Sequence, residues 1–376
     1  MVKKNVTVGE VAGVMEMVAP VRLAEGWDNV GLLTGDGRWP VKRVMLAMDL
    51  TREVHDEVVA RKAEVLIVYH PPIFKAMKTL RVGGGEPMDL AVSLLAHKVA
   101  VYSPHTALDT AQGGTNDVLA EVIGAKVTGS LTRAAGKGQY LKLVTFVPEG
   151  QVEEVAEAVF AAGAGHIGVK AKYTRCSFRH AGTGTFMGDE SANPAVGTAR
   201  VYERVAEIRF ETILPTERAA AVIDALKEAH PYEEPAFDLL MMQAEPEEVG
   251  LGRLAMLEGE MTLAELAGRC KRALRVKYAQ VVGNPKRRVR KVALIAGAAG
   301  RLALDGVEEA YDVLVTGELK HHEMLAYLAA GIGVVCLGHS ETERPVLGVV
   351  ASRLRKHLKG VEVRICSKDC SPFTVF

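Results

Sequence analysis

The sequence predicts an α/β protein with a two-lobed core of mostly parallel sheets, interrupted by an inserted ferredoxin-like α+β domain. Three observations predict it. Short apolar runs alternate with amphipathic segments over residues 1–136 and again over 249–376, the βαβ signature of a mostly parallel sheet. Between them, from about Gly136, the pattern changes to alternating strands and two amphipathic helices around a Gly-rich stretch, which suggests a small ferredoxin-like module at 137–248. Finally, three apolar runs of the outer segments each end in histidine, where open α/β sheets bind their ligands.

The elements follow in chain order. Thr7-Val8-Gly9-Glu10 reads as a Thr-capped helix entry with Glu10 placed for a capping box. Strands are expected at 41–50, 65–69 and 99–103, and helices at 52–62, 89–97 and 116–123, the last ending at Gly124, a C-cap signal. The middle domain carries strands at 140–147, 205–214 and 237–242 and helices at 152–162 and 217–229. A further strand is expected within the Gly, Thr and Ser-rich stretch 163–197, and an acidic linker at 244–248. The second core half carries helices at 262–274, 304–310, 319–330 and 344–358, and strands at 291–295, 313–316, 332–337 and 361–366. Insertion of the middle domain requires its ends to lie close together.

Composition narrows the function classes. The chain has 376 residues, 48% hydrophobic and 24% charged, which is ordinary globular composition with ample core. Lys plus Arg equals Asp plus Glu, 46 each, so bulk charge argues against a nucleic-acid partner. No apolar run is long enough to span a bilayer, and residues 1–8 lack the apolar core of a signal peptide. Five thinly spread cysteines suit a reducing compartment, so the cytoplasm is expected. Cys366 and Cys370 are the closest pair, and without a second pair they read as structural thiols.

The chemistry concentrates at strand ends. After the apolar run 332–337 comes Gly338-His339-Ser340-Glu341-Thr342-Glu343. If a helix starts there, His339 and Glu343 lie on one face a turn apart. Imidazole with carboxylate suits Zn, Mn, Fe or Co. The strand 65–69 runs into His70, and the strand 99–103 into His105 and Asp109. Three such endings in one chain point to a metal site.

Trp27-Asp28-Asn29-Val30-Gly31-Leu32, Tyr69-His70-Pro71-Pro72-Ile73-Phe74, His105-Thr106-Ala107-Leu108-Asp109, Thr316-Gly317-Glu318 and the 338–343 motif, in this order, resemble the GTP cyclohydrolase 1 type 2 homologue family, also named after an Ngg-interacting factor. The resemblance covers both α/β halves. His230-Pro231-Tyr232-Glu233-Glu234-Pro235 in the middle domain looks like the PII- or CutA-type insert of the long members. The resemblance implies two divalent ions per subunit (Zn, Mn, Fe, Co or Ni) and a homohexameric ring, a trimer of dimers. It places His70, Asp109, His339 and Glu343 on metal-ligand positions. The family's usual His-His-Pro is Tyr69-His70-Pro71 here, so one expected ligand is a phenol with an ordinary pKa of about 10. Either Tyr69 binds one ion as phenolate, or His105 substitutes, or that ion is weakly held. His105 otherwise orients Asp109 from behind.

Glu318, His321 and His322 start a helix after the strand 313–316 and are the candidates for substrate contact or proton transfer. Trp27, Asp28 and Asn29 read as support for the cleft. Residues 296–300 lack the Walker lysine and the dinucleotide fingerprint, so they read as a tight turn. Two functions follow. The first is a metal-dependent hydrolase acting on a small molecule such as a purine nucleotide, a cyclic amide or a phosphoester. The alternative is a non-catalytic metal-binding regulator or scaffold ring whose PII-like insert senses a small molecule.

Overall fold

The computed structural model describes residues 6–375 apart from 77, 82, 133–139, 168–171, 243–249, 306, 308 and 309. The expected transition at Gly136 and the acidic linker 244–248 lie outside the described residues. The chain forms two compact units, one of Met1–Ala134 with Glu248–Phe376 and one of Ala135–Glu247. The first unit begins with β1 (Gly31–Thr34), β2 (Arg43–Ala47), β3 (Val65–Val68), β4 (Ala100–Ser103) and β5 (Ala125–Ser130). The second unit holds β6 (Tyr140–Pro148), β7 (Ser177–Phe186), β8 (Glu203–Pro215) and β9 (Phe237–Met241). The first resumes with β10 (Arg253–Thr262), β11 (Gln280–Val282), β12 (Arg288–Ala298), β13 (Val313–Glu318), β14 (Gly333–Cys336) and β15 (Glu362–Ile365).

The first sheet has the order β1-β4-β3-β2-β15, parallel except for β1 at its edge. All four residues of β3 are buried, as expected of a parallel strand covered on both faces. Strand periodicity sorts the side chains into two cores. Leu46, Ile67, Tyr69 and Tyr102 pack with helices Val8–Val18 and Val346–His357. Met45, Leu66, Val68 and Val101 pack with helices Arg52–Ala60 and Pro87–Ala96. The expected capping box forms at the first helix, where Thr7 Oγ1 accepts from the Glu10 amide and Glu10 returns the bond to the Thr7 amide.

The second sheet has the order β11-β14-β13-β12-β10-β5, with β12, β13 and β14 parallel and the outer pairings antiparallel. Strands β1, β5, β10 and β11 were not expected from sequence. The three residues of β11 show the reason. They are short and largely exposed, and they are strands because they pair with Val334, Val335 and Cys336. Turns occupy 301–305, where the helix 304–310 was expected to begin, and its residues 306, 308 and 309 lie outside the described residues. The Tyr311 hydroxyl donates to the Ala303 carbonyl.

One helix joins the two sheets' cores. Thr115–Ile123 sends Val118 into the first and Leu119, Ala120 and Ile123 into the second, and it stops at Gly124 with φ +70°. Its Asn116 side chain donates to the Asp109 carbonyl at 3.0 Å and accepts from the Ala296 amide at 2.8 Å, tying the end of one sheet to the other. Arg253 on β10 is a second tie. It is 3% exposed, pairs with Asp117 at 2.7 Å and donates to the carbonyls of Thr110, Ala111, Gly250 and Gly252. Arg253→Met removes the buried guanidinium that ties Asp117 to four carbonyls, so urea denaturation is expected to register a loss of about 3–5 kcal/mol. A loss within experimental error would mean that water replaces the guanidinium.

The second unit runs β-α-β-β-α-β with helices Val152–Ala161 and Ala219–Ala229, and its antiparallel sheet has the order β7-β8-β6-β9. Leu143, Val147, Phe210 and Leu214 of the sheet pack against Val155 and Val222 of the helices. β7 is the strand in the Gly-rich stretch. Among the described residues no helix is long and apolar enough to cross a membrane, and all five cysteines are free.

Candidate metal centre

The parallel strands of both sheets in the first unit aim their carboxyl ends at one place. β2 runs on to Asp49, β3 to Tyr69 and His70, and β4 to His105 and Asp109. From the other sheet β12 ends at Gly297 and Ala298, β13 at Glu318, and β14 leads into a short helix, His339–Glu343. That helix puts His339 and Glu343 one turn apart on one face. His70, His339 and Glu343 converge so that their ligand atoms lie within 4.8 Å of one another.

Glu343 sits between the two imidazoles. Its Oε2 is 3.3 Å from His70 Nε2 and its Oε1 is 3.3 Å from His339 Nε2. Glu343 is 4% exposed. His70 Nε2 and Glu343 Oε2 are buried yet make no well-formed hydrogen bond. The approach at 3.3 Å is an ion-pair distance without hydrogen-bond geometry, so these atoms still lack a partner of the right geometry. Orphaned buried ligand atoms of this type fit a divalent cation.

Each histidine is turned toward the centre by a carboxylate. His70 Nδ1 donates to Asp49 at 2.9 Å, and His339 Nδ1 donates to Glu318 at 3.0 Å. His105 Nδ1 donates to both oxygens of Asp28 at 2.9 Å, while Asp28 also accepts from the Thr106 amide. In all three rings Nε2 is left as the nitrogen available to an ion, which is how metal-binding histidines are usually set. The ring of His105 lies 5.5 Å from that of His70. Its backbone has φ +24°, a conformation an L-residue holds only at a cost. Asp49→Ala frees the His70 ring and is expected to weaken divalent-metal affinity about 10- to 100-fold, read by chelator competition. An unchanged affinity would mean that packing alone orients the ring.

Tyr69 continues the alternation of β3 into the first core and is 1% exposed. Its hydroxyl donates to Asp109 Oδ1 and meets Thr115 Oγ1 at 3.1 Å. Burial, with the Asp109 and Glu343 charges, pushes the phenol well above its ordinary range, so it stays a hydrogen-bond donor. Burial and the Glu343 charge push Asp109 up to about 6. Burial opposes a charge on His70, yet Asp49 and Glu343 outweigh it and raise the imidazole to about 10. Glu343 raises His339 to about 9 against the cost of burial. Burial also works against the Glu343 carboxylate, but the His339 and His70 imidazoles beside it leave it below the ordinary range.

The other residues expected at the site divide. Glu318 is bonded to His339, whereas His321 and His322 are exposed on the first turn of helix His321–Ala329, their rings 5.4 Å apart. Trp27 is exposed, edge-on to Phe74 and His105, and Asn29 donates to the Ile73 carbonyl. Gly297 has φ +68°, and a Cβ there would lie 2.3 Å from Glu343 Oε1, so only glycine lets the backbone pass this close. Asp49 and Asn116 escaped the sequence reading. The signal for Asp49 was available, since it ends an apolar run just as His70 does. Nothing local marks Asn116.

The sequence profile described as Duf34/NIF3 (NGG1p interacting factor 3) matches residues 6–372. A Halalkalibacterium halodurans protein named GTP cyclohydrolase 1 type 2 homolog is 36% identical over 365 residues, 96% of each chain. A Bacillus subtilis protein of the same name is 35% identical over 375 residues, 99% of each chain. Among solved structures, the Bacillus cereus protein related to NIF3 superposes with a TM-score of 0.79 at 34% identity, covering 100% of both chains.

Proposed function

The chain belongs to the Duf34/NIF3 family, and from that premise we propose that it is a divalent-metal-dependent hydrolase. The observation that carries the reading is the pair of oriented imidazoles facing the two oxygens of one buried carboxylate, with His70 Nε2 and Glu343 Oε2 unsatisfied. His70, His339 and Glu343 hold one ion. We place a second beside it on Asp109 and His105, with Glu343 shared. Tyr69 then acts as the hydrogen-bond donor that holds Asp109, not as a ligand. Bound ions would supply Lewis acidity and an activated water. Asp49, Asp28 and Glu318 hold the imidazoles in the ligating tautomer, and His321 and His322 stand ready for protons or substrate.

The relatives' name makes the purine ring of GTP the first substrate to test, with water added at C8 and the ring opened. Protein loaded with Zn, Mn, Fe or Co is expected to turn over GTP, with activity abolished by chelator and by His70→Ala. Full metal loading with no turnover of GTP or of other purine nucleotides would overturn this substrate. The outcome would then favour a metal-binding regulator. A cytoplasmic homohexamer, with the second unit as a PII-like module, completes the proposal. The β-α-β-β-α-β order of that unit supports the last part.

A further inference from the structure

The second unit has a hollow face. In β6 and β8 the side chains of Leu143, Val147, Phe210 and Leu214 point to the helices. By the period of two, Phe146, Glu207 and Arg209 point the other way. There they line a cavity of about 860 Å³ with β7, the segment 187–195 and the segment 232–236. This volume matches sites for small organic ligands.

The cavity contains a buried carboxylate with a free oxygen. Glu207 is 8% exposed, and its Oε1 accepts from the Tyr232 hydroxyl at 2.6 Å. Among the described residues its one side-chain hydrogen bond is this one, at Oε1, and Oε2 is left open. Gly184 makes room for it, since a Cβ there would lie 2.0 Å from that oxygen. That oxygen is open to the cavity, so the N–H group of a ligand can reach a carboxylate whose other oxygen is already held by Tyr232.

Charge sets the class of ligand. Asp189, Glu233 and Glu234 also line the cavity, against one arginine and no lysine. That arginine, Arg209, is already engaged, with Nε on Glu211 at 2.7 Å and its guanidinium 5.9 Å over the Phe146 ring. A metal ion is a poor fit. The one group of three candidate ligands close enough to hold an ion among the described residues is His70, His339 and Glu343. Aromatic rings flank the carboxylate instead, and Phe146 and Tyr232 suit a cation carried on carbon. The wall is stiffened by buried His230, which accepts from the Tyr232 amide at 3.1 Å and donates to the Phe146 carbonyl at 3.1 Å.

We propose that this cavity is a ligand site for a small organic cation, a primary amine or guanidinium compound. Its N–H groups close on Glu207 Oε2, and its carbon chain lies between Phe146 and Tyr232. The proposal is independent of the hydrolase reading. Calorimetric titration of the full chain with spermidine and with agmatine tests it, with glutarate as an anion of comparable size. Saturable binding of one or both cations is expected, weakened at least about tenfold in Glu207→Gln, which keeps the acceptor for Tyr232 but removes the charge. The metal content of that variant should not change. Should Glu207→Gln fail to fold, Glu234→Gln on the exposed rim carries the test and is expected to weaken the same cations a few-fold. The proposal is overturned by absence of cation binding at about 1 mM, by equal affinity in the variant that folds, or by preference for glutarate.

Discussion

Glu343→Gln is expected to bind divalent metal at least about 100-fold more weakly than the unmodified chain. The physical reason is that one carboxylate serves two imidazoles, 3.3 Å from each Nε2. Glutamine keeps the shape but replaces one oxygen with an N–H donor, which neither binds a cation nor accepts from a protonated ring. Metal analysis after purification without added metal reads the loss. A second readout needs no metal at all. Glu343 is a main cause of the raised pKa values of His70 and His339, so in the variant both rings should titrate nearer the ordinary imidazole value. Histidine resonances followed by NMR would report this. If metal content and both titrations stay as they were, the triad is not the site.

Metal uptake is expected to release protons, and affinity to rise steeply with pH. Without metal, His70 and His339 titrate at about 10 and about 9, so both rings are charged at neutral pH and must lose a proton to ligate. Apparent affinity should climb by up to about 100-fold per pH unit where both rings still carry protons. Stability of the metal-free chain runs the other way. A raised imidazole pKa contributes stability that is complete below the unfolded value of about 6.5 and is lost as pH rises through the folded values. Metal-free protein should therefore melt progressively lower from about pH 7 toward pH 10, while the protection given by added metal grows over the same window. Glu343, held below its ordinary range, adds stability at neutral pH that is lost on the acid side as it protonates. Calorimetric titration of metal in buffers of different ionisation enthalpy counts the protons. A count of zero at pH 7 would contradict the charged pair.

Several parts of this centre were readable because they are local. His70 and His339 stand at the ends of buried β3 and β14, and a buried strand is visible as an apolar run. The spacing of His339 and Glu343 needs only one helical turn to align them. Other parts were not readable because the partners are distant. Asp49 and His70 are 21 residues apart, Asp28 and His105 are 77 apart, and Asn116 reaches Ala296 across 180. His105 shows the consequence. Sequence left it between binding an ion and orienting Asp109, whereas its Nδ1 is held by Asp28 and only Nε2 is left open. Tyr69 is similar, because only the fold shows its hydroxyl buried and bonded to Asp109.

By itself, then, the sequence determined the α/β class, the family, the buried parallel strands and the histidines at their ends, since periodicity and motif order act within a few residues. Tertiary structure alone decided which strand ends meet, which carboxylate turns each ring, that Glu343 lies between two imidazoles, and that the second unit encloses a cavity around Glu207. Those facts depend on side chains brought together by the packing of one element on another, and no local pattern of residues encodes that meeting.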